Sequence, residues 1–311
     1  MPLAVGPAIS ASRSFEEEAM FIATLIAKDR LADGDISAAA DSLAAAGIAP
    51  CGRSWIEEDR ACDLHFSAAP GPARAALEGL IDGVDVVVQG EASRRRRLLV
   101  ADMDSTMISV ECIDELADYA GVKAEVAAVT ERAMRGEIGF EAALAGRVAA
   151  LAGLDEAAID RCLAERVRLT GGARALVRTM KREGAFTLLV SGGFTRFADP
   201  VGAEIGFDRV VANRLGFRSG RLDGSVEGAI LGAEGKRSAL LEAVAERGLR
   251  IDETLAVGDG ANDIPMLMEA GLGIAYHAKP AAIAAADSAI RHNDLTALLY
   301  AQGWARSEWE E

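Results

Sequence analysis

Hydrophobic and polar positions divide the chain into two stretches with different rhythms. MFIATLIAK (20–28) is dense in β-formers and predicts a strand, and DISAAADSLAAAG (35–47) carries apolar residues at helical spacing and ends at a glycine. CGRSWIEE (51–58) and ACDLHFSA (61–68) predict two strands joined by a tight acidic turn, GPARAALEGLIDG (71–83) a second helix, and VDVVVQG (84–90) a fourth strand. The order β-α-β-β-α-β is the split βαβ, ferredoxin-like α+β arrangement. The second rhythm begins at RLLVADMD (97–104), a continuous apolar run that stops at two carboxylates, as suits a parallel strand buried on both faces. A helical stretch from about Ile108 to Leu169 follows. Alternation then resumes: helix 171–184, strand 185–193, helix 194–206, strand 208–215, a turn-rich hairpin at 216–228, helix 234–248, strand 254–260, helix 264–270, the short strand 272–276 and a last helical region. This pattern predicts an α/β fold with a doubly wound parallel sheet, whose ligands sit at the carboxyl ends of the strands. The block at 108–169 interrupts the alternation after its first strand, as an inserted cap does. The reading is therefore a loose leader over 1–18, a ferredoxin-like domain over 19–92, and an α/β domain with a helical cap over 93–311.

Composition narrows the classes. The 311 residues carry 33 basic and 48 acidic side chains, a formal charge of −15, with half the residues apolar. Such a chain has enough apolar material for about two buried cores. Its acidity argues against nucleic acid or an anionic membrane as the main partner. It leaves room for a phosphorylated small molecule, because local cations and a metal can invert the field inside one cleft. No apolar run reaches the ~18–20 residues of a membrane span. The first residues lack the basic flank and long apolar core of a secretion signal, so a soluble, cytoplasmic protein is expected. Cys51, Cys62, Cys112 and Cys162 form no CxxC pair and predict buried free thiols rather than a disulfide framework or zinc site. His65, alone in a strand, reads as a packed or surface residue, and the run Arg94–Arg97 as a solvated linker.

Four clusters lie just past predicted strand ends. In Asp102-Met103-Asp104-Ser105-Thr106, alternation along an extended segment puts both carboxylates on one side, where repulsion calls for a divalent cation or a division into acid and base. A calcium loop also begins D-x-D, but Met107 stands where its turn glycine is needed and Ile113 where its bidentate glutamate is needed. Ser191-Gly192-Gly193 offers a hydroxyl and bare backbone amides for an anion. Lys236, read alone, is a surface lysine. Gly258-Asp259-Gly260-Ala261-Asn262-Asp263 holds Asp259 and Asp263 four apart, with Pro265 placed to begin a helix. Helix capping explains one of these acids but hardly all of them.

DMDST, SGG, an isolated lysine and GDGANDIPM, in this order, resemble the four motifs of the haloacid dehalogenase-like phosphohydrolases. Glu111 in SVECIDELA, with Phe140 and Arg147 in FEAALAGRVAAL, narrows the resemblance to the phosphoserine phosphatases of serine biosynthesis. The N-terminal region is similar to the ACT-like domain of their longer bacterial members. The resemblance implies Mg²⁺-dependent hydrolysis of O-phospho-L-serine through an aspartyl-phosphate. It casts Asp102 as nucleophile and Asp104 as general acid and base. Mg²⁺ is implied at the Asp102 carboxylate, the Asp104 main-chain carbonyl and Asp259, ordered from behind by Asp263. Ser191, Gly192, Lys236 and Asn262 are implied to hold the phosphoryl group. Glu111 has the charge for the ammonium, Arg147 can fork onto the carboxylate, and Phe140 matches the cap aromatic that helps exclude water. A homodimer through the N-terminal domain is a further expectation of the resemblance. Rival readings are another small phosphate substrate, transfer to an alcohol acceptor, and a regulatory amino-acid-binding protein.

Overall fold

The computed structural model describes residues 20–135 and 137–311, so the leader expected at 1–18 lies outside the described residues. The N-terminal unit comprises β1 (Phe21–Ala27), α1 (Asp33–Ala45), β2 (Gly52–Glu57), β3 (Ala61–Phe66), α2 (Pro70–Leu77) and β4 (Val84–Gly90). This is the expected ferredoxin-like order. Helix α2 stops earlier than its apolar spacing suggested, because Gly79 turns the chain at φ 76°.

The remainder comprises β5 (Leu98–Ala101), the cap helices α3 (Cys112–Ala120), α4 (Lys123–Met134), α5 (Phe140–Ala150) and α6 (Glu156–Arg166), then α7 (Ala173–Arg182), β6 (Phe186–Phe194), α8 (Thr195–Ile205), β7 (Arg209–Arg218), β8 (Arg221–Glu227), α9 (Ala233–Arg247), β9 (Thr254–Gly258), α10 (Ile264–Glu269), β10 (Leu272–Tyr276), α11 (Pro280–Ala285), β11 (Ser288–Ile290) and α12 (Ala297–Ala301). Strands β11, β10, β9, β5, β6 and β7 lie side by side and parallel. Chain order runs one way from β5 to β7 and the other way from β9 to β11, so the direction reverses between β5 and β9. Ligands bind at such a reversal, outside the carboxyl ends of the strands. Successive β5 residues serve both layers: Leu98 and Val100 pack with Leu240 and Leu267, while Leu99 and Ala101 pack with Leu176 and Phe197. The cap leaves and rejoins the core at one point, marked by the bridge between Ile108 and Leu169.

Among the described residues the two units share one eleven-stranded sheet, ordered β2-β3-β1-β4-β11-β10-β9-β5-β6-β7-β8. The join is an antiparallel pairing of Val86 with Ala289. Beside it the Asp85 carboxylate accepts from the backbone amides of Arg291 (2.8 Å) and Asn293 (2.9 Å). In the arginine run Arg95 and Arg97 are exposed, as a solvated linker expects, whereas Arg94 and Arg96 correct that reading. Arg94 pairs with buried Asp63 at 2.7 Å, and Arg96, 4% exposed, donates to Gln89 at 2.6 Å and to the Asp252 carbonyl. Charge runs are usually solvated, but here buried acceptors on both units await them. Cysteines 62, 112 and 162 are buried and free as expected, whereas Cys51 is exposed on the approach to the edge strand β2. Among the described residues, no helix is long and apolar enough to cross a membrane.

Candidate active site

Beyond the ends of β5 and β9 the chain turns through two acidic loops. Asp102 follows β5, its amide held by the Val257 carbonyl at 3.0 Å. One Asp102 oxygen accepts from the Met103 amide at 2.7 Å and pairs with Lys236 Nζ at 2.6 Å. Lys236 comes from the first turns of α9 and is fully buried, so its reading as a surface lysine fails once the helix packs. Its ammonium also lies 2.7 Å from Asp263 Oδ1, while Asp263 Oδ2 accepts from the amides of Asp259 (3.1 Å) and Gly260 (3.0 Å). A Cβ at Gly258 would collide with the Asp263 carboxylate, which accounts for the glycine. Burial opposes the charged form of Lys236, but Asp102 and Asp263 outweigh it and hold the pKa above the ordinary lysine value.

Asp102 and Asp104 both line the cleft, but not by alternation along a strand. Strand β5 ends at Ala101, and residues 103–107 form a wide turn in which Ser105 adopts φ 55°. The acids whose carboxylate oxygens gather within 4.8 Å of one another are Asp102, Asp259 and Asp263. Asp104 instead accepts from the Cys112 amide at 2.9 Å and the Ser191 hydroxyl at 3.3 Å. Ser191 Oγ in turn accepts from the Gly193 amide at 2.9 Å. A Cβ on Gly193 would stand 2.7 Å from Asp104, so the close approach of the two loops depends on that glycine. Burial, reinforced by Glu111, lifts the Asp104 carboxyl to about 6. Burial, reinforced by Asp263, does the same for Asp259, again to about 6. Asp102 is raised by burial and by Asp263, against the pull of Lys236.

Three buried acids against one buried ammonium leave excess negative charge. Hard carboxylate oxygens in this number suit a divalent cation, so the residues fit a metal at this point. The sign of the resulting pH effect is fixed. Asp104 and Asp259 rise from 3.8 unfolded to about 6 folded, so their contribution to stability is complete below 3.8 and is lost as pH climbs through 6. A bound divalent cation favours the carboxylates and reverses that loss. The rise in Tm on adding metal in place of EDTA should therefore grow between about pH 5 and about pH 7. A metal-induced rise that is flat across this range would contradict the assignment of the cluster.

A cavity of about 310 Å³ opens above these acids. Its core wall holds Asp102, Asp104, Gly192, Gly193, Asp259 and Asn262; its cap wall holds Glu111, Ile113, Phe140, Leu144 and Arg147. Ser191 and Lys236, both fully buried, stand directly behind the core wall. The structure thus places Asp102, Asp104, Glu111, Phe140, Arg147, Gly192, Asp259 and Asn262 on one cleft, with Ser191, Lys236 and Asp263 buried behind them. Glu111 accepts from Ser105 at 2.8 Å, and the Arg147 Nε is buried without a hydrogen-bond partner among the described residues. Such a group is costly to leave unpaired and is available to a ligand.

Sequence reasoning missed three residues. Ser105 aims Glu111. Lys279 stands at the cavity mouth, its Nζ 3.9 Å from Asp259 and its backbone amide donating to the Asp259 carbonyl at 3.0 Å. Asn213, buried in β7, bonds the Gly192 carbonyl at 2.9 Å. Ser105 at least belonged to a motif; an isolated lysine and an asparagine inside a strand gave no signal.

Comparison with known proteins agrees with this geometry. A family model described as haloacid dehalogenase-like hydrolase matches residues 99–268. The chain is 46% identical over 243 residues to a phosphoserine phosphatase of Streptomyces coelicolor, covering 77% of this chain and 59% of that protein. It thus spans about three fifths of that relative's length. A phosphoserine phosphatase of Polaromonas is 47% identical over 208 residues, covering 65% of this chain and 88% of the relative. The crystal structure of a probable phosphoserine phosphatase from Vibrio cholerae superposes with a TM-score of 0.73 at 32% identity, covering 93% of this chain and 88% of that one.

Proposed function

The chain belongs to the haloacid dehalogenase-like hydrolases, and from that premise we propose that it hydrolyses O-phospho-L-serine to L-serine and phosphate with Mg²⁺, as the last step of serine biosynthesis in the cytoplasm. The observation that carries the reading is the row Asp102–Lys236–Asp263, buried beneath a cavity whose opposite wall presents Glu111 and Arg147. A phosphate dianion facing the first group leaves an ammonium for Glu111 and a carboxylate for the Arg147 fork. We assign residues 19–92 to an ACT-like unit and 93–311 to the phosphatase unit.

In the first step an Asp102 oxygen forms a bond to phosphorus as the seryl O–P bond breaks. Asp104 gives its proton to the departing oxygen, a role suited to a carboxyl at about 6. In the second step Asp104 takes a proton from water, the water oxygen attacks phosphorus, and Asp102 leaves as a carboxylate. Ser191, the Gly192 amide, Asn262 and Lys236 hold the phosphoryl oxygens throughout. Asp102, the Asp104 carbonyl and Asp259 would hold Mg²⁺, which when bound would supply Lewis-acid neutralisation of the phosphate charge. Asp263 keeps Lys236 and the Asp259 loop in place, and Phe140 shields the reacting group from water.

The test is phosphate release from O-phospho-L-serine, with Mg²⁺ and with excess EDTA, alongside an aryl phosphate. Metal-dependent release from phosphoserine is expected. Arg147→Ala should lower kcat/KM for phosphoserine by about 10²-fold while barely changing that for the aryl ester. Unchanged kcat/KM for phosphoserine in that variant would sink the substrate assignment.

A further inference from the structure

We propose that Asn213 is a positioning residue: it fastens the Ser191–Gly193 loop to the backbone ahead of the Lys236 helix, and thereby builds the seat on which the cap residue Phe140 rests. This deepens the phosphatase reading above and rests on it. Asn213 lies at the last β7 position paired with β6, opposite Phe194, and is 3% exposed. Its amide is used at both ends. Nδ2 donates to the Gly192 carbonyl at 2.9 Å and to the Leu231 carbonyl at 3.4 Å, while Oδ1 accepts from the Leu231 amide at 2.7 Å. An amide meets this demand for donor and acceptor together; a carboxylate or an aliphatic side chain of the same size does not.

The two backbones joined in this way have one feature in common. A Cβ on Gly192 would lie 3.5 Å from Phe140 Cζ, and a Cβ on Gly232 would lie 3.3 Å from Phe140 Cδ1. The ring therefore rests against two glycines, one in the phosphate-gripping loop and one at the start of α9. Asn213 sets the distance between them. Gly232 also accepts, through its carbonyl, from the Lys236 amide at 3.1 Å, so the same backbone aims the buried lysine. Between Asn213 and Leu231 the chain makes the β7–β8 hairpin, which runs to the cap. There Leu222 exchanges backbone bonds with Gly153 (2.8 Å) and Leu154 (2.9 Å). The amide thus closes the base of a hairpin whose far end holds the cap, and it touches the loop that the cap must cover.

A double-mutant cycle between Asn213→Asp and Phe140→Ala tests this, read as kcat/KM for phosphoserine and for an aryl phosphate, with Tm measured on each variant. Asn213→Asp keeps shape and acceptor but loses the donor to Gly192. It should cost about tenfold in kcat/KM when Phe140 is present, and much less in the Phe140→Ala background, where no ring needs the seat. Equal costs in both backgrounds would show a merely structural residue and overturn the proposal, as would full activity of Asn213→Asp. Should that variant fail to fold, Gly232→Ala leaves the amide bonds intact and crowds the ring, and its cost should likewise vanish with Phe140→Ala; additivity there overturns the seat. Turnover of the aryl phosphate without turnover of phosphoserine by the native protein would refute the substrate assignment alone, since the cycle is then read on the aryl ester.

Discussion

Asp102→Asn is expected to lower kcat for phosphate release by at least about 10⁴-fold while the protein stays folded. An amide oxygen is a far poorer nucleophile than a carboxylate, and the Lys236 ammonium 2.6 Å away can no longer be matched by a charge on that side. Folding should survive, because Lys236 keeps Asp263 as a partner at 2.7 Å and the crowding of three buried acids is relieved. The check is a steady-state assay on phosphoserine together with a thermal melt. Acid quenching during turnover should also trap phosphate covalently on the native protein and none on the variant. Turnover within about tenfold of the native rate would remove Asp102 from the nucleophile's place.

Lys236→Met should damage both stability and activity. Its ammonium is fully buried and touches Asp102 and Asp263. Removing it leaves two buried carboxylates facing each other without their cation, and loss of one partner from a buried pair costs about 3–5 kcal/mol. The phosphoryl group loses its fixed positive neighbour as well, which should reduce kcat by about 10²–10³-fold. The two effects can be separated. A divalent metal replaces part of the missing charge, so its addition should raise Tm more in Lys236→Met than in the native protein. Equal metal-free Tm values for the two proteins would show that the lysine is not the counter-charge of this cluster.

Much of the site was legible because its chemistry is local. Asp102, Asp104, Ser191, Asp259 and Asp263 each follow an apolar strand-like run, and strand ends are where α/β sheets hold ligands. Glu111, Phe140 and Arg147 needed the family resemblance, since each alone is an ordinary helix residue. The losses have physical causes. Strand β11 has three residues, Ser288–Ile290, too few for a period to show, so the last region read as helical. Arg94 and Arg96 read as solvated because sequence reveals a charge but not the buried acceptors Asp63 and Gln89 that meet it. Asn213 was invisible because its partners, Gly192 and Leu231, are backbone groups with no side-chain signature.

The sequence by itself determined the order of elements as far as β10, the interrupted alternation that makes a cap, and the positions where carboxylates meet strand ends, because periodicity and turn chemistry are properties of neighbours along the chain. Tertiary structure alone decided that Lys236 lies between Asp102 and Asp263, that Asp104 turns away from the acidic cluster toward Ser191, and that the N-terminal unit joins the same sheet through Val86 and Ala289. These are contacts between groups far apart in sequence. They form only when packing brings the ends of β5 and β9 together, and burial then raises the energy of any charge left without a partner.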